Sequence, residues 1–368
     1  MEYAVKLLEE MLRIYSPTGD ESRLAGYLEE AMKSLGFQVE TDRLGNVLGH
    51  IGGGEVEVLL CGHMDTVPGE IPVKRIGYDL YGRGAVDAKG PLAAMIIAAH
   101  KAGLEDVRGE AGITVACLVD EEGESKGARE LASRGKPPSY AVFGEPSGAD
   151  GIIIGYKGAL KVLLEVSTAP GHSASPWLYP NAVEEAFEIW RLIKRELIGS
   201  GSYFNSVTGC ITRIKGGEGF GKTPANCTVE VDLRIPPGTP WNRIRAAVEE
   251  KALSYAEGKE NLRVRVDGED GVDGFLASRD SPLVSAFSIA IRKVTGRQPI
   301  LVKKTGTSDL NILAQAWKIP MIAYGPGDSK LDHTLEEHLD IREYLASIEV
   351  LREALKWLMR IHKRDKMR

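Results

Sequence analysis

Five metal-seeking side chains stand in short, separate motifs along the sequence: His63 in Cys61-Gly62-His63-Met64-Asp65, Asp87 in Gly82-Arg83-Gly84-Ala85-Val86-Asp87-Ala88-Lys89-Gly90, Glu122 after Glu121, Glu145 in Gly144-Glu145-Pro146, and His333 in Asp332-His333-Thr334. If they serve one site, the fold has to bring the first and last together across most of the chain. Two imidazoles and three carboxylates suit a pair of zinc-like ions. For each ion to have three protein ligands and an open position for water, one carboxylate has to bridge both ions, about 3.5–4 Å apart. Such a centre is suited to hydrolysis.

The texture of the chain says what could carry it. The first 150 residues alternate helix and strand signals, with strand-like runs at 37–41, 56–61, 113–119 and 140–143 and helices at 5–12, 22–35 and 91–102. This is α/β grammar, and several of the motifs fall at the C-terminal ends of those strands, where open α/β sheets build their sites. From about Lys157 the pattern changes to strands at 160–166, 209–214, 227–235 and 263–267 with helices at 181–197 and 242–256, an α+β insertion. The stretch Gly268-Glu269-Asp270-Gly271-Val272-Asp273-Gly274 returns the chain to the first domain before His333. The expected division is therefore 1–156 with 275–368 as a di-metal catalytic domain, and 157–274 as a lid.

Composition excludes several partners. A net charge of -6 argues against a general nucleic-acid binder, which needs a basic footprint. The longest apolar runs, such as 92–99, fall well short of a membrane span. Met1-Glu2-Tyr3 opens into an amphipathic helix carrying Glu9 and Glu10, unlike a secretory leader, and the expected compartment is the cytoplasm. Cys61, Cys117, Cys210 and Cys227 lie in strand-like runs without C-x-x-C spacing and are expected as free buried thiols. Cys61 points the same way as His63 but roughly 6.6 Å further back along the strand, too far to share a ligand's role. His338 is the alternative to His333 and is expected on a helix; His50, His100 and His362 fall in a loop, a helix and the charged tail.

These motifs resemble, over nearly the whole chain, the metallopeptidase and deacylase family of acetylornithine deacetylase, succinyl-diaminopimelate desuccinylase and glutamate carboxypeptidase. The resemblance implies a zinc-peptidase-like catalytic domain, with a mixed sheet and flanking helices, and a four-stranded, two-helix lid and dimerisation domain. It implies that His63, Asp87 and Glu145 hold one divalent ion and Asp87, Glu122 and His333 the other, zinc or alternatively cobalt. Asp65 would orient the His63 ring and Glu121 would be the general base. Gly171-His172-Ser173-Ala174 resembles the motif whose His crosses the dimer interface to polarise the scissile carbonyl. Arg234 resembles the clamp for a substrate carboxylate, and Gly306, Thr307 and Ser308 in Gly306-Thr307-Ser308-Asp309 resemble the lining of the substrate slot. Gly221 stands where carboxypeptidase-like members place Asn, three residues before Pro224-Ala225.

Within that family the run Lys303-Lys304-Thr305-Gly306-Thr307-Ser308-Asp309-Leu310-Asn311 resembles the branch that releases lysine or ornithine from the C-terminal Glu of a small acidic amino-group carrier protein. Lys303, Lys304 and the tail cations Lys363, Arg364, Lys366 and Arg368 could help dock such a carrier. Two other activities use the same site: N-acetylornithine or N-acyl-amino-acid deacylation, and carboxypeptidase or dipeptidase cleavage. A non-enzymatic metal-binding protein on the same fold would be expected to lack Glu121 or a ligand, and neither is missing.

Overall fold

A computed structural model describes residues 2–107, 109–199, 201–268 and 271–367; Glu269 and Asp270 of the return stretch and Arg368 of the basic tail lie outside the described residues. The chain forms two compact units: Met1–Ile154 with Ala277–Val302 and Ser308–Arg368, and Gly155–Leu276 with Lys303–Thr307. The smaller unit starts two residues before and ends two residues after the expected 157–274. Phe275 and Leu276 pair antiparallel with Tyr156 and Gly155, which draws all four into it. Lys303–Thr307 joins the same unit, with Lys304 O accepting from Lys157 N.

The larger unit is built on a mixed sheet. Its central strands run parallel: Val56–His63 lies between Ala111–Leu118 and Tyr140–Phe143, and Met321–Ala323 continues beside Tyr140–Phe143. Val47–Gly52 pairs antiparallel on the outer side of Ala111–Leu118, and Gln38–Thr41 closes that edge. The parallel strands are hydrophobic almost throughout because both faces are covered, and Lys89–Lys101 is buried from Lys89 to Ala99, as an all-apolar helix must be. The long helix Ile341–Lys366 buries one stripe, including Ile348, Leu351, Leu355 and Leu358, against the same core.

The sequence pattern predicts a loop around His50, whereas Val47–Gly52 forms a strand. Its side chains alternate between buried and half-buried, but two glycines break the apolar pattern that would reveal it. Gly49 admits a close approach: a Cβ there would lie 2.7 Å from Met32 Sδ, so Met32 would have to shift.

The smaller unit is an antiparallel sheet in the order Thr208–Gly216, Asn226–Ile235, Gly158–Thr168, Leu262–Gly268. Alternate residues Leu160, Val162, Leu164 and Val166, opposite Cys227, Val229, Val231 and Leu233, face helices Ala182–Leu197 and Trp241–Ala256. Asn181 starts the first helix by accepting from Val183 N at 3.0 Å. Cys210 is exposed, contrary to expectation, because it pairs with Asp232 on the sheet face away from the helices; Cys61, Cys117 and Cys227 are buried and all four are free.

Candidate metal centre

Three neighbouring parallel strands deliver their C-terminal ends to one place. His63 ends Val56–His63, Asp120-Glu121-Glu122 follows Ala111–Leu118, and Glu145 follows Tyr140–Phe143. The register sets His63 opposite Leu118 and Cys61 opposite Phe143, so the three motifs end level with one another. The loop after Met321–Ala323 supplies His333.

Asp87 is the hub. Its Oδ1 lies 3.2 Å from His63 Nε2 and its Oδ2 lies 3.1 Å from His333 Nε2, which is also 2.9 Å from Glu122 Oε1. Among the described residues Asp87, Glu122 and His333 form a group whose ligand atoms all lie within 4.8 Å of one another. Two ligands on one tetrahedral ion, each about 2.0–2.1 Å from it, stand roughly 3.3–3.4 Å apart. The observed spacings are close to that, and the two oxygens of Asp87 address different imidazoles, as a bridging carboxylate must. Glu145 is buried and its charge acts on Glu121 and Cys61, but it is no part of that convergent triplet.

Electrostatics tell the same story. Burial holds Glu121 well above the ordinary carboxylate range; His63 opposes this, and Asp309, Glu145 and Glu122 add to it. Burial, followed by Asp87, raises Glu122 as well. For His63 burial acts to lower the pKa, but the oxygens of Asp65 and Asp87 outweigh it and hold the ring well above its usual value. His333 is pushed up to about 9, first by its hydrogen bond to Asp87. Acids crowded this closely ionise together only beside cations, and a donor set of acids and imidazoles fits a divalent metal.

His63 Nδ1 faces the main-chain oxygen of Asp65 at 2.9 Å, and the Asp65 carboxylate accepts from Glu121 N and Glu122 N, both at 3.1 Å, and from Thr18 Oγ1 at 2.8 Å. The carboxylate thus fixes the turn that separates Glu121 from Glu122. Asp120 just before it adopts φ 65, and His333 adopts φ 62. Left-handed backbone at non-glycine residues costs of order 1–3 kcal/mol and persists only where surrounding contacts enforce it.

In the sequence Asp309 is marked only as the end of the Gly306-Thr307-Ser308-Asp309 motif. It is buried, one of its oxygens has no hydrogen-bond partner, and burial raises it to about 7. Of the two histidines, His333 is the one that lies beside Asp87 and Glu122. His338 was expected on a helix but begins the strand His338–Asp340, with its ring stacked on Tyr81 at 4.7 Å. Pairing with Asp79–Tyr81, a tertiary contact, decides this. His50 bonds Thr114, His100 bonds Leu35 O, and His362 bonds Tyr140.

The smaller unit holds the remaining singled-out residues, Ser308 excepted. His172 is exposed in a two-residue strand paired with Lys222–Thr223, and its Nδ1 accepts from Ala174 N at 3.0 Å. That bond leaves Nε2 as the donor position of a neutral ring. Arg234 donates to Asp232 Oδ2 at 2.8 Å and to Thr307 Oγ1 at 3.1 Å. Gly306 has open space around its Cα, and Ser308, at the start of a helix in the larger unit, caps Asp309–Ala316 in a capping box with Asn311.

Comparison with known proteins agrees with this geometry. Residues 59–357 match the family model described as peptidase family M20/M25/M40. A Pyrococcus furiosus protein provisionally named a LysW-lysine/LysW-ornithine hydrolase is 41% identical over 358 residues, 96% of this chain and 97% of that one. The LysW-lysine hydrolase of Deinococcus radiodurans is 34% identical over 361 residues, covering 96% of each. A tripeptidase structure from Staphylococcus aureus superposes with a TM-score of 0.82 at 21% identity over 98% of both chains, a likeness of fold. With strand ends, acids and imidazoles arranged as described, and with relatives matched end to end, this chain belongs to peptidase family M20/M25/M40.

Proposed function

We propose that this protein is a metal-dependent amide hydrolase that releases lysine, ornithine or both from a LysW-type carrier protein. The observation that carries the chemistry is Asp87 addressing His63 and His333 with separate oxygens beside Glu121 and Glu122. The substrate class is supported by the names of relatives that match over almost their whole length.

His63, Asp87 and Glu145 would hold one divalent ion and Asp87, Glu122 and His333 a second, zinc or cobalt. When bound, such ions supply a nucleophilic water at neutral pH and a Lewis acid for the carbonyl. Glu121 accepts the proton of the attacking water and delivers it to the leaving nitrogen, a role suited to a buried carboxyl held high in pKa. Asp65 keeps Glu121 and Glu122 pointing to their separate tasks through their two amides. Arg234, with Thr307 beside it, binds a substrate carboxylate, and His172 of a second subunit polarises the scissile carbonyl in a homodimer. Carrier docking draws on Lys303, Lys304 and the tail cations Lys363, Arg364 and Lys366; in the free protein these three tail residues pair with Glu110, Asp365 and Glu55 respectively. Free thiols without disulfides suit a reducing cytoplasm, and among the described residues no helix is long and apolar enough to cross a membrane.

A release assay tests this reading. Carrier-bound lysine, carrier-bound ornithine and N-acetylornithine are compared at equal concentration, and the carrier-bound forms are expected to be cleaved with the higher kcat/KM. Cleavage of N-acetylornithine alone would assign the protein to the deacylases instead.

A further inference from the structure

One buried ion pair ties the Asp87 loop to the His333 loop. Glu337, 1% exposed, uses both carboxylate oxygens. Oε1 accepts from Val86 N at 2.9 Å and Asp87 N at 3.1 Å, and Oε2 accepts from Arg83 Nη1 at 2.8 Å. Arg83, 4% exposed, donates from the same Nη1 to Thr334 O at 3.0 Å and from Nε to Gly69 O at 2.8 Å. Gly82 N closes the circuit on Glu337 O at 3.3 Å. The pair therefore holds the main chain of Asp87 directly, and the main chain of the residue that follows His333.

Stability alone is a poor reason to keep such a pair. Two buried ions give up their hydration, and apolar replacements of similar volume are often neutral or better. Position is a better reason. His333 adopts φ 62, a backbone that a non-glycine residue holds only under constraint, and Arg83 supplies that constraint one residue downstream. Asp87 has to direct two oxygens at two imidazoles, which requires its own main chain to be fixed, and Glu337 fixes it through the amide. Neither Arg83 nor Glu337 hydrogen-bonds to a ligand atom in these contacts.

We propose that Arg83 and Glu337 are positioning residues that hold Asp87 and His333 at metal-binding spacing. This rests on Asp87 and His333 being metal ligands, as the proposed function has it. Outer partners of ligand residues commonly account for about 10–100-fold in metal affinity.

The test measures metal affinity apart from turnover. Zinc is titrated against a chromophoric chelator in wild type, Glu337→Gln, Arg83→Lys and His333→Ala, with thermal unfolding of the chelator-stripped proteins alongside. Glu337→Gln keeps an oxygen for the amides and removes the charge; Arg83→Lys keeps the charge and removes the planar fork that reaches three partners. Both are expected to bind zinc about 10–100-fold more weakly, and to regain turnover with unchanged KM as zinc is raised to saturation. Should Glu337→Gln fail to fold, Arg83→Lys decides. A folded variant with wild-type zinc affinity overturns the proposal, and so does a lower melting temperature of the stripped protein with affinity unchanged, which would mark a purely structural pair. If His333→Ala binds zinc as wild type does, the ligand assignment itself has failed, a result distinct from failure of the Arg83–Glu337 brace.

Discussion

His63 Nδ1 lies 2.9 Å from the main-chain oxygen of Asp65 and 3.4 Å from its carboxylate. A ring nitrogen facing a carbonyl has to donate, which leaves Nε2 as the nitrogen that faces Asp87. The main chain of Asp65 thus seats the ring at close range, while its carboxylate faces the same nitrogen and also accepts from the amides of Glu121 and Glu122.

Asp65→Asn should therefore leave His63 seated and disturb the acidic pair. An amide at this position sets its NH2 against one of the two backbone N–H groups. Turnover is expected to fall about 10–100-fold, with metal lost preferentially from the Glu122 side. Metal content and kcat on the same sample check this; full metal occupancy with wild-type kcat would exclude it.

Metal binding should strengthen with pH up to about 9, because the His333 proton held there by Asp87 has to leave before a metal can take Nε2. Below that value affinity should weaken by about tenfold per pH unit for each proton displaced. In the metal-free fold the His333 contribution runs the opposite way. His333 has a folded pKa raised above its unfolded 6.5, so its contribution to stability is complete below 6.5 and is lost as pH rises through about 9. Glu122 and Asp309 are raised too, Asp309 to about 7, so the folded state again holds protons that the unfolded state releases, and stability again falls with rising pH. Chemical denaturation of chelator-treated wild type and His333→Gln from pH 6 to 9 isolates the His333 contribution. The opposing rise from Lys89 and Lys157, lowered by burial to about 7 and about 8, is common to both proteins. The stability of wild type relative to the variant is expected to fall as pH rises, and a constant or growing difference would contradict it.

Arg234→Lys should raise KM for carrier-bound substrate. The guanidinium is held between Asp232 and Thr307, and a planar bidentate donor has no equivalent in lysine. Loss of one charged hydrogen bond is expected to raise KM about 10–100-fold, with melting temperature unchanged within about 2 °C. An unchanged KM would leave Arg234 as an internal partner of Asp232.

Mixed dimers test His172. Glu121→Ala and His172→Ala should each be inactive, and random exchange of equal amounts makes about half the dimers mixed, each with one intact site. Recovery to about a quarter of wild-type activity is expected. Verified heterodimers without recovery would place His172 in its own subunit's chemistry or outside the reaction.

How much of this was legible in the sequence depends on what each feature rests on. The places of His63, Glu121, Glu122 and Glu145 at strand ends are legible because apolar strands lead into them, and the Asp87 loop because glycines flank it. The helix Ala182–Leu197 was readable from Asn181, whose cap is a local interaction. Val47–Gly52 was hidden by Gly49, which admits the approach of Met32, and His338–Asp340 by a pairing with residues far upstream. Glu337 stands out in the sequence only by lying four residues after His333, the spacing kept in the family that the motifs resemble; its burial against Arg83 and its hold on the Asp87 amide are tertiary and leave no local signal.

The central claim is that Glu121 is the proton carrier of a metal-dependent hydrolase, and one measurement meets it directly. Glu121→Gln is assayed for release of lysine from the carrier, with bound metal determined on the same sample. Removal of the base while every ligand stays should leave metal content at the wild-type level and lower kcat by about 10²–10⁴. Wild-type kcat with the metals in place would contradict the account.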